Sequence, residues 1–457
     1  MQIAARPCPP EYNLIPQITP TVSHEKVYPA EIKRIDGGYF FDFGREVTGC
    51  LCAVFEGQKG DVVDICFGEE LEKDGKVRYQ LRANCTYKDK IILSGGCDFL
   101  DYFDYKGYRY AEITGVDEKF DPESVYTLCR HYPFPNDAAS FDCSDAELNK
   151  IWDICVHGVK IGTQDTYYDC PTREKGGFVG DALITGLSHL LLTADKRINK
   201  KFIFDLDNTS RYCPAVMAHL PTYNINICAD YSSLVPLFLE EFYNYTKDKE
   251  FLSEMLPIVE GMWEYYSQFL NSDGLLEGIE HMKKVPPEME PILIDWPQNL
   301  RDGYDMEKAK PGVCTTVNTF FYGMLKTTAR LYREVGNESR ACELEAIYEK
   351  MGESLISKLY NAESGLFVDA DGSDHSPIYL FISRVMGIRL DGVGERKIYV
   401  RPHLDGAPDK MNIEIPLPFG RVTARFERSE GKMTYSLTAP GQYDVIFEGN
   451  DVEFVRQ

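Results

Sequence analysis

Asp169-Cys170-Pro171-Thr172-Arg173-Glu174-Lys175-Gly176-Gly177-Phe178-Val179-Gly180-Asp181-Ala182 sets three carboxylates, an arginine, an aromatic ring and three glycines in one short turn between two helical patterns. Pro171, Gly176, Gly177 and Gly180 bar a continuous helix and let backbone approach a ligand closely. Asp169, Glu174 and Asp181 can then converge on one small volume. Carboxylates crowded in this way raise each other's pKa, and one that stays protonated near neutrality can act as a general acid. The plain alternative is a charged surface loop in which Arg173 neutralises its neighbours.

On both sides of this stretch the apolar spacing is helical. Upstream, Ser144-x-x-Glu147 reads as a capping box, followed by Leu148, Ile151, Trp152, Cys155 and Val159. Downstream, helices are predicted at about 182–194, 196–208, 229–246, 248–271, 315–335, 338–360 and 376–388. In the fifth of these, Phe320, Phe321, Met324, Leu331 and Val335 form a core stripe that Gly336 terminates. The segment 273–314 has no helical period, is rich in proline and glycine, and carries Asp295 and Trp296; long irregular loops in compact domains are usually functional.

Farther out the period falls to two. Runs at 39–43, 50–55, 62–67, 90–93 and 108–113, parted by glycine-bearing turns, predict an antiparallel sandwich over residues 1–135. Tyr108, Tyr110 and Glu112 alternate with Arg109, Ala111 and Ile113, giving that strand one packed and one exposed face. Residues 131–139 read as a linker. Runs at 398–400, 412–415, 422–426, 433–437 and 445–447 predict a second, small sandwich. The domains expected are therefore 1–135, 136–390 and 391–457, within the two or three that a length of 457 residues allows.

A formal charge of −23 argues against nucleic acid or anionic membrane as partner and leaves neutral ligands open. The fourteen cysteines are scattered, with no CxxC pair, and the chain has no HExxH, no apolar leader and no membrane-length apolar run. The expectation is free or buried thiols in a reducing cytoplasm, without metal or cofactor.

Asp-Cys-Pro-x-Arg followed by Glu, Gly, an aromatic residue and Gly-Asp resembles the signature of the bacterial α-L-rhamnosidases, inverting glycosidases of the six-hairpin (α/α)6 class. The resemblance extends to Leu293-Ile-Asp-Trp296, Arg301-Asp-Gly303, Ala229-Asp-Tyr-Ser232, Tyr105-Lys-Gly-Tyr-Arg-Tyr110 and Ile398-Tyr-Val-Arg-Pro402. It implies release of terminal α-L-rhamnose with inversion, Glu174 being the general acid. It also implies sugar contacts from Asp169, Arg173, Phe178, Asp181, Asp295 and Trp296, with the Trp296 indole stacking on the sugar. His375 has two possible counterparts in the family, a histidine just before the last helix and another at the start of an earlier one. Asp230 reads either as an N-cap or as a further sugar contact. The expected partner is a rhamnosylated glycoside or oligosaccharide, and self-association is compatible with the chain.

Three departures from the family pattern stand out. The chain has one Glu where the family has an Asp-Glu pair, and Phe178 where it usually has Trp. Between the helix ending near Tyr360 and the one starting near Ser376, roughly four helices and the loop bearing the general base are expected and lacking, leaving about eight long helices. The second hypothesis is accordingly a non-catalytic carbohydrate-binding or structural descendant. A substitute base would have to come from Glu280, Glu288, Asp302, Asp369 or Asp374, about 6.5–9.5 Å from Glu174.

Overall fold

The computed structural model describes residues 16–81, 85–100, 102, 104–210, 219–220, 228–278, 313–361, 366–367, 386, 388–389, 396–402, 408–429, 432–447 and 453–456. It has a sheet domain, a helical middle and a second set of sheets. In the first, Ser23–Val27, Tyr126–His131, Gly38–Cys52, Lys106–Thr114, Val62–Gly68 and Lys88–Ile92 lie side by side in that order, with Glu31–Ile35 also paired to Gly38–Cys52. All of these pairings are antiparallel. Phe41, Leu51, Ile65, Phe67, Tyr108, Ala111 and Ile113 make its core.

Strict alternation fails inside Lys106–Thr114, because Tyr108, Ala111 and Ile113 are all fully buried. The cause is an irregularity in the partner strand between Asp42 and Val47, across from Tyr110 and Tyr108, which shifts the facing of the strand by one residue. Arg109 then points to Asp42, and both its Nε and Nη2 bond the carboxylate at 2.9 Å. The same irregularity joins two predicted runs into the single long strand Gly38–Cys52.

The helical middle comprises α1 (Ala146–Gly162), α2 (Val179–Thr193), α3 (Arg197–Ser210), α4 (Ala229–Ser232), α5 (Val235–Thr246), α6 (Lys249–Tyr266), α7 (Thr315–Val335) and α8 (Glu338–Leu359). α1 packs on α2, α2 on α3, α5 on α6, α6 on α7 and α7 on α8, while α2 also touches α5, α5 touches α7 and α3 touches α6. One apolar core, including Phe202, Phe238, Val259, Met262, Phe321 and Leu344, runs through α2, α3 and α5 to α8. The stripe on α7 is buried as expected at Phe321, Met324 and Leu331, and Gly336 closes the helix at φ +87°.

Two helix predictions need correction. The cap of α1 is Asp145, whose Oδ1 accepts from the Glu147 and Leu148 amides, while the Ser144 hydroxyl accepts from the Lys410 amide at 3.2 Å. The C-terminal sheet draws Ser144 away from the helix and leaves the cap to its neighbour. The predicted helix over 229–246 is broken into α4 and α5 at Ser233-Leu234, because Pro236 has no amide proton and restarts the chain as a first-turn residue. The predicted helix at 376–388 lies outside the described residues.

The third unit has a five-stranded sheet, in which Ser140–Cys143 pairs with Lys410–Leu417, followed by Gly420–Ser429, Lys432–Thr438 and Glu453–Arg456, and a sheet of Ile388–Arg389, Lys397–Val400 and Asp444–Phe447. Its edge strand thus comes from the stretch just before α1. Its core takes in Trp152 and Val159 of α1 and Leu190, Leu191 and Leu192 of α2. The twelve cysteines of the described residues form no disulfide with one another. No described helix is long and apolar enough to cross a membrane.

Candidate active site

The turn from α1 to α2 carries the signature. Its ends are tied together: the Asp169 amide donates to the Gly176 carbonyl at 2.8 Å, and the Gly176 amide donates to Asp169 Oδ1 at 2.8 Å. Between these anchors Lys175 takes a left-handed conformation, φ +50°, which turns the chain back toward α2. Gly177–Phe178 pairs with His219–Leu220, and α2 begins at Val179, three residues before its predicted start. Asp181 therefore sits in the first turn of α2, where the helix dipole favours its charged form.

Glu174 is held against Arg173, whose Nη2 donates to Glu174 Oε1. Its side chain is 15 % exposed. Burial and then the charge of Asp169 push its carboxyl up to about 7, although Arg173 pulls the other way and Asp181 adds to the rise. Arg173 pairs with Glu174 itself, and burial with the neighbouring charges outweighs that pairing. Asp181 is pushed up to about 6, again by burial first and Asp169 second. Asp169 thus raises both neighbours, and of Glu174 and Asp181 it is Glu174 that more readily holds a proton at neutrality.

Phe178 is 7 % exposed, and the Tyr231 ring of α4 stands edge-on to it, 6.4 Å between centroids. A Cβ on Gly180 would lie 2.8 Å from the Tyr231 ring, so glycine there is what lets that ring approach. Asp230 is not an N-cap: it is the second residue of α4, 5 % exposed, and its Oδ1 accepts from the Tyr231 amide at 2.9 Å. Asp295, Trp296 and His375 lie outside the described residues, as do Glu280, Glu288, Asp302, Asp369 and Asp374.

Asp169, Cys170 and Glu174 offer three ligand atoms within 4.8 Å of one another. The Cys170 thiol is pushed up to about 11 by burial and then by Asp169, and its sulfur accepts from the Glu174 amide at 3.4 Å.

A converging set of carboxyls, one raised to near neutrality and paired with arginine, has the makings of a general acid, and it stands between a β-domain and paired helices. Residues 136–382 match the model of the bacterial alpha-L-rhamnosidase 6 hairpin glycosidase domain, and residues 32–131 that of the bacterial alpha-L-rhamnosidase concanavalin-like domain. The chain belongs to the bacterial α-L-rhamnosidase family. An alpha-L-rhamnosidase of Formosa agariphila is 22 % identical over 327 residues, covering 70 % of this chain and 34 % of that protein. One from Streptomyces avermitilis is 24 % identical over 248 residues, 52 % of this chain and 24 % of that one.

Among solved structures of the family, the GH78 rhamnosidase of Bacillus sp. GL1 aligns with a TM-score of 0.77 at 17 % identity, covering 93 % of this chain and 55 % of that one. The Streptomyces avermitilis alpha-L-rhamnosidase complexed with L-rhamnose gives 0.73 at 16 %, covering 94 % and 50 %. The chain thus spans about a third or less of the length of these curated relatives and about half that of these solved structures.

Several residues that shape the site escaped the sequence reading. Tyr87, Glu69 and Asp104 come to the loop from the N-terminal domain, far away in the chain, and no local spacing marks them. Tyr231 alone had a signal, since it stands in Ala229-Asp-Tyr-Ser232.

Proposed function

We propose that the chain is a glycoside hydrolase acting on terminal α-L-rhamnosides with inversion, in which Glu174 protonates the departing oxygen. The observation that carries this reading is the Glu174 carboxyl raised to about 7 beside Asp169, Arg173 and Asp181. A carboxyl with that pKa is protonated in a large fraction of molecules at neutral pH and still gives up its proton readily. Asp169, Arg173 and Asp181 hold the sugar hydroxyls through charge-assisted hydrogen bonds, and Phe178 walls the sugar's apolar side. Asp295, Trp296 and His375 complete the sugar site in this reading, which rests for these three on the family resemblance.

The hairpin order, with α2, α5 and α7 in one row and α3 beside α6, supports an arc of an (α/α) ring in an incomplete toroid over about 136–390. The opposite face of the sugar then needs a base from the five loop carboxylates named from the sequence.

The family's general-base loop is expected between Tyr360 and Ser376 and lacking in the sequence, which favours a second reading, a non-catalytic descendant that keeps the sugar pocket. Hydrolysis of an aryl α-L-rhamnoside by the chain and by Glu174→Gln, together with calorimetric titration of L-rhamnose, separates the two. Turnover with inversion that the substitution depresses supports the hydrolase. L-Rhamnose binding without turnover supports the binding protein, and the absence of both overturns the site.

A further inference from the structure

The residues on either side of the Arg173–Glu174 pair do not belong to the helical domain in their contacts. At Thr172 the backbone carbonyl accepts a hydrogen bond from the Tyr87 hydroxyl, and the Thr172 hydroxyl donates to Glu69 Oε1. At Lys175 the ammonium group donates to Asp104 Oδ2 at 2.8 Å and to the Tyr105 carbonyl, and it lies 4.1 Å from the centre of the Tyr105 ring. Tyr87 and Tyr105 are 7 % and 3 % exposed. Just before the first contact, Pro171 rests on the strand Lys106–Thr114 at Gly107, where a Cβ would lie 3.0 Å from the proline ring.

We propose that the N-terminal β-domain is a positioning element for the general acid, with Tyr87 and Lys175 as the positioning residues. This rests on the reading of Glu174 as that acid. Docking two domains needs buried area somewhere along their boundary, but it does not need polar contacts on the two residues that bracket the acid pair. A short loop rich in proline and glycine has little order of its own, and an acid must be held within about 0.5 Å to meet a leaving oxygen. The Asp169–Gly176 bonds close the loop at its base, whereas the β-domain fixes its tip. Tyr87 can hold its place because its own backbone is bonded to Phe67 and Tyr79 within the sheet domain.

The test uses the full chain with Tyr87→Phe, Lys175→Met, both together, and Tyr87→Phe with Lys175→Arg. Hydrogen exchange followed by mass spectrometry reads the peptide spanning 169–178 without requiring turnover. The expected result is exchange at least tenfold faster across that peptide in the Tyr87→Phe, Lys175→Met chain, with α5 to α8 unchanged and slow exchange largely restored by Lys175→Arg. Where the chain turns over, the double substitution should lower kcat on a natural rhamnoside about tenfold more than on an aryl rhamnoside with an activated leaving group, with KM little changed. Unchanged exchange over 169–178 overturns the proposal, as does exchange that rises uniformly along the chain, which would make these contacts general domain adhesive. If exchange responds as expected but Glu174→Gln leaves hydrolysis intact, the acid assignment falls while the grip on the loop stands.

Discussion

Glu174 carries opposing pulls: a guanidinium bonded to it favours the carboxylate, and burial beside Asp169 favours the acid. Because burial wins, Glu174→Gln should lower kcat on natural rhamnosides by about 10²–10⁴-fold while sparing substrates whose leaving groups need little proton assistance. Steady-state kinetics on the two substrate classes checks this, and equal losses on both would remove Glu174 from the acid role. Steric limits act at the same scale. Gly180→Ala places a methyl group 2.8 Å from the Tyr231 ring and should destabilise the fold by about 1–3 kcal/mol, despite the better helix propensity of alanine. Gly158→Ala in α1 meets nothing within 4 Å and should stabilise by about 0.5–1 kcal/mol. Thermal melts of the two variants should therefore move in opposite directions.

Among the elements, α1 shows how a local signal is captured by a distant partner. Ser144-x-x-Glu147 has the form of a capping box, yet the Ser144 hydroxyl turns to the Lys410 amide and Asp145 satisfies the first amides of the helix. Asp145→Ala should cost about 1 kcal/mol in chemical denaturation, and Ser144→Ala distinctly less. Equal losses would return the cap to Ser144. The break between α4 and α5 has a functional side as well. It places Tyr231 on a separate short helix, and from there the ring reaches over Gly180 to Phe178.

On the scale of the whole molecule, the domains meet through buried carboxyls and shared apolar surface. Glu46 of the β-domain adjoins Glu69, and burial, then that like charge, pushes its carboxyl from an ordinary 4.5 to about 8. Arg45 lies next to it in the chain, and the His157 ring of α1 bonds the Glu46 carbonyl at 2.6 Å. Between those two pH values the folded chain keeps a proton that the unfolded chain has lost, so stability falls as pH rises through the window. Glu46→Gln should therefore flatten the fall, being near neutral at pH 5 and stabilising at pH 9, as read from melting temperature against pH. The C-terminal sheets cover Trp152, Val159 and Leu190 to Leu192. Removing residues 391–457 should bare that surface and yield a protein that binds a hydrophobic dye or aggregates instead of a trimmed, well-folded domain.

Periodicity by itself determined the order of sheets and helices, the core stripe of α7 and its glycine stop, because these depend on spacings within one segment. The residue types of 169–182 likewise pointed to a carboxylate cluster, since proline and glycines can only make a turn there. Tertiary structure decided which groups act on one another. The irregularity between Asp42 and Val47 turned a neighbouring strand by one residue, the C-terminal sheet took Ser144, and the N-terminal domain brought Tyr87, Glu69 and Asp104 to the loop of Glu174. The pKa that makes Glu174 a candidate acid belongs to this second group. It depends on how much water is excluded and which charges remain nearby, and both are properties of packed surfaces that no single stretch of chain carries.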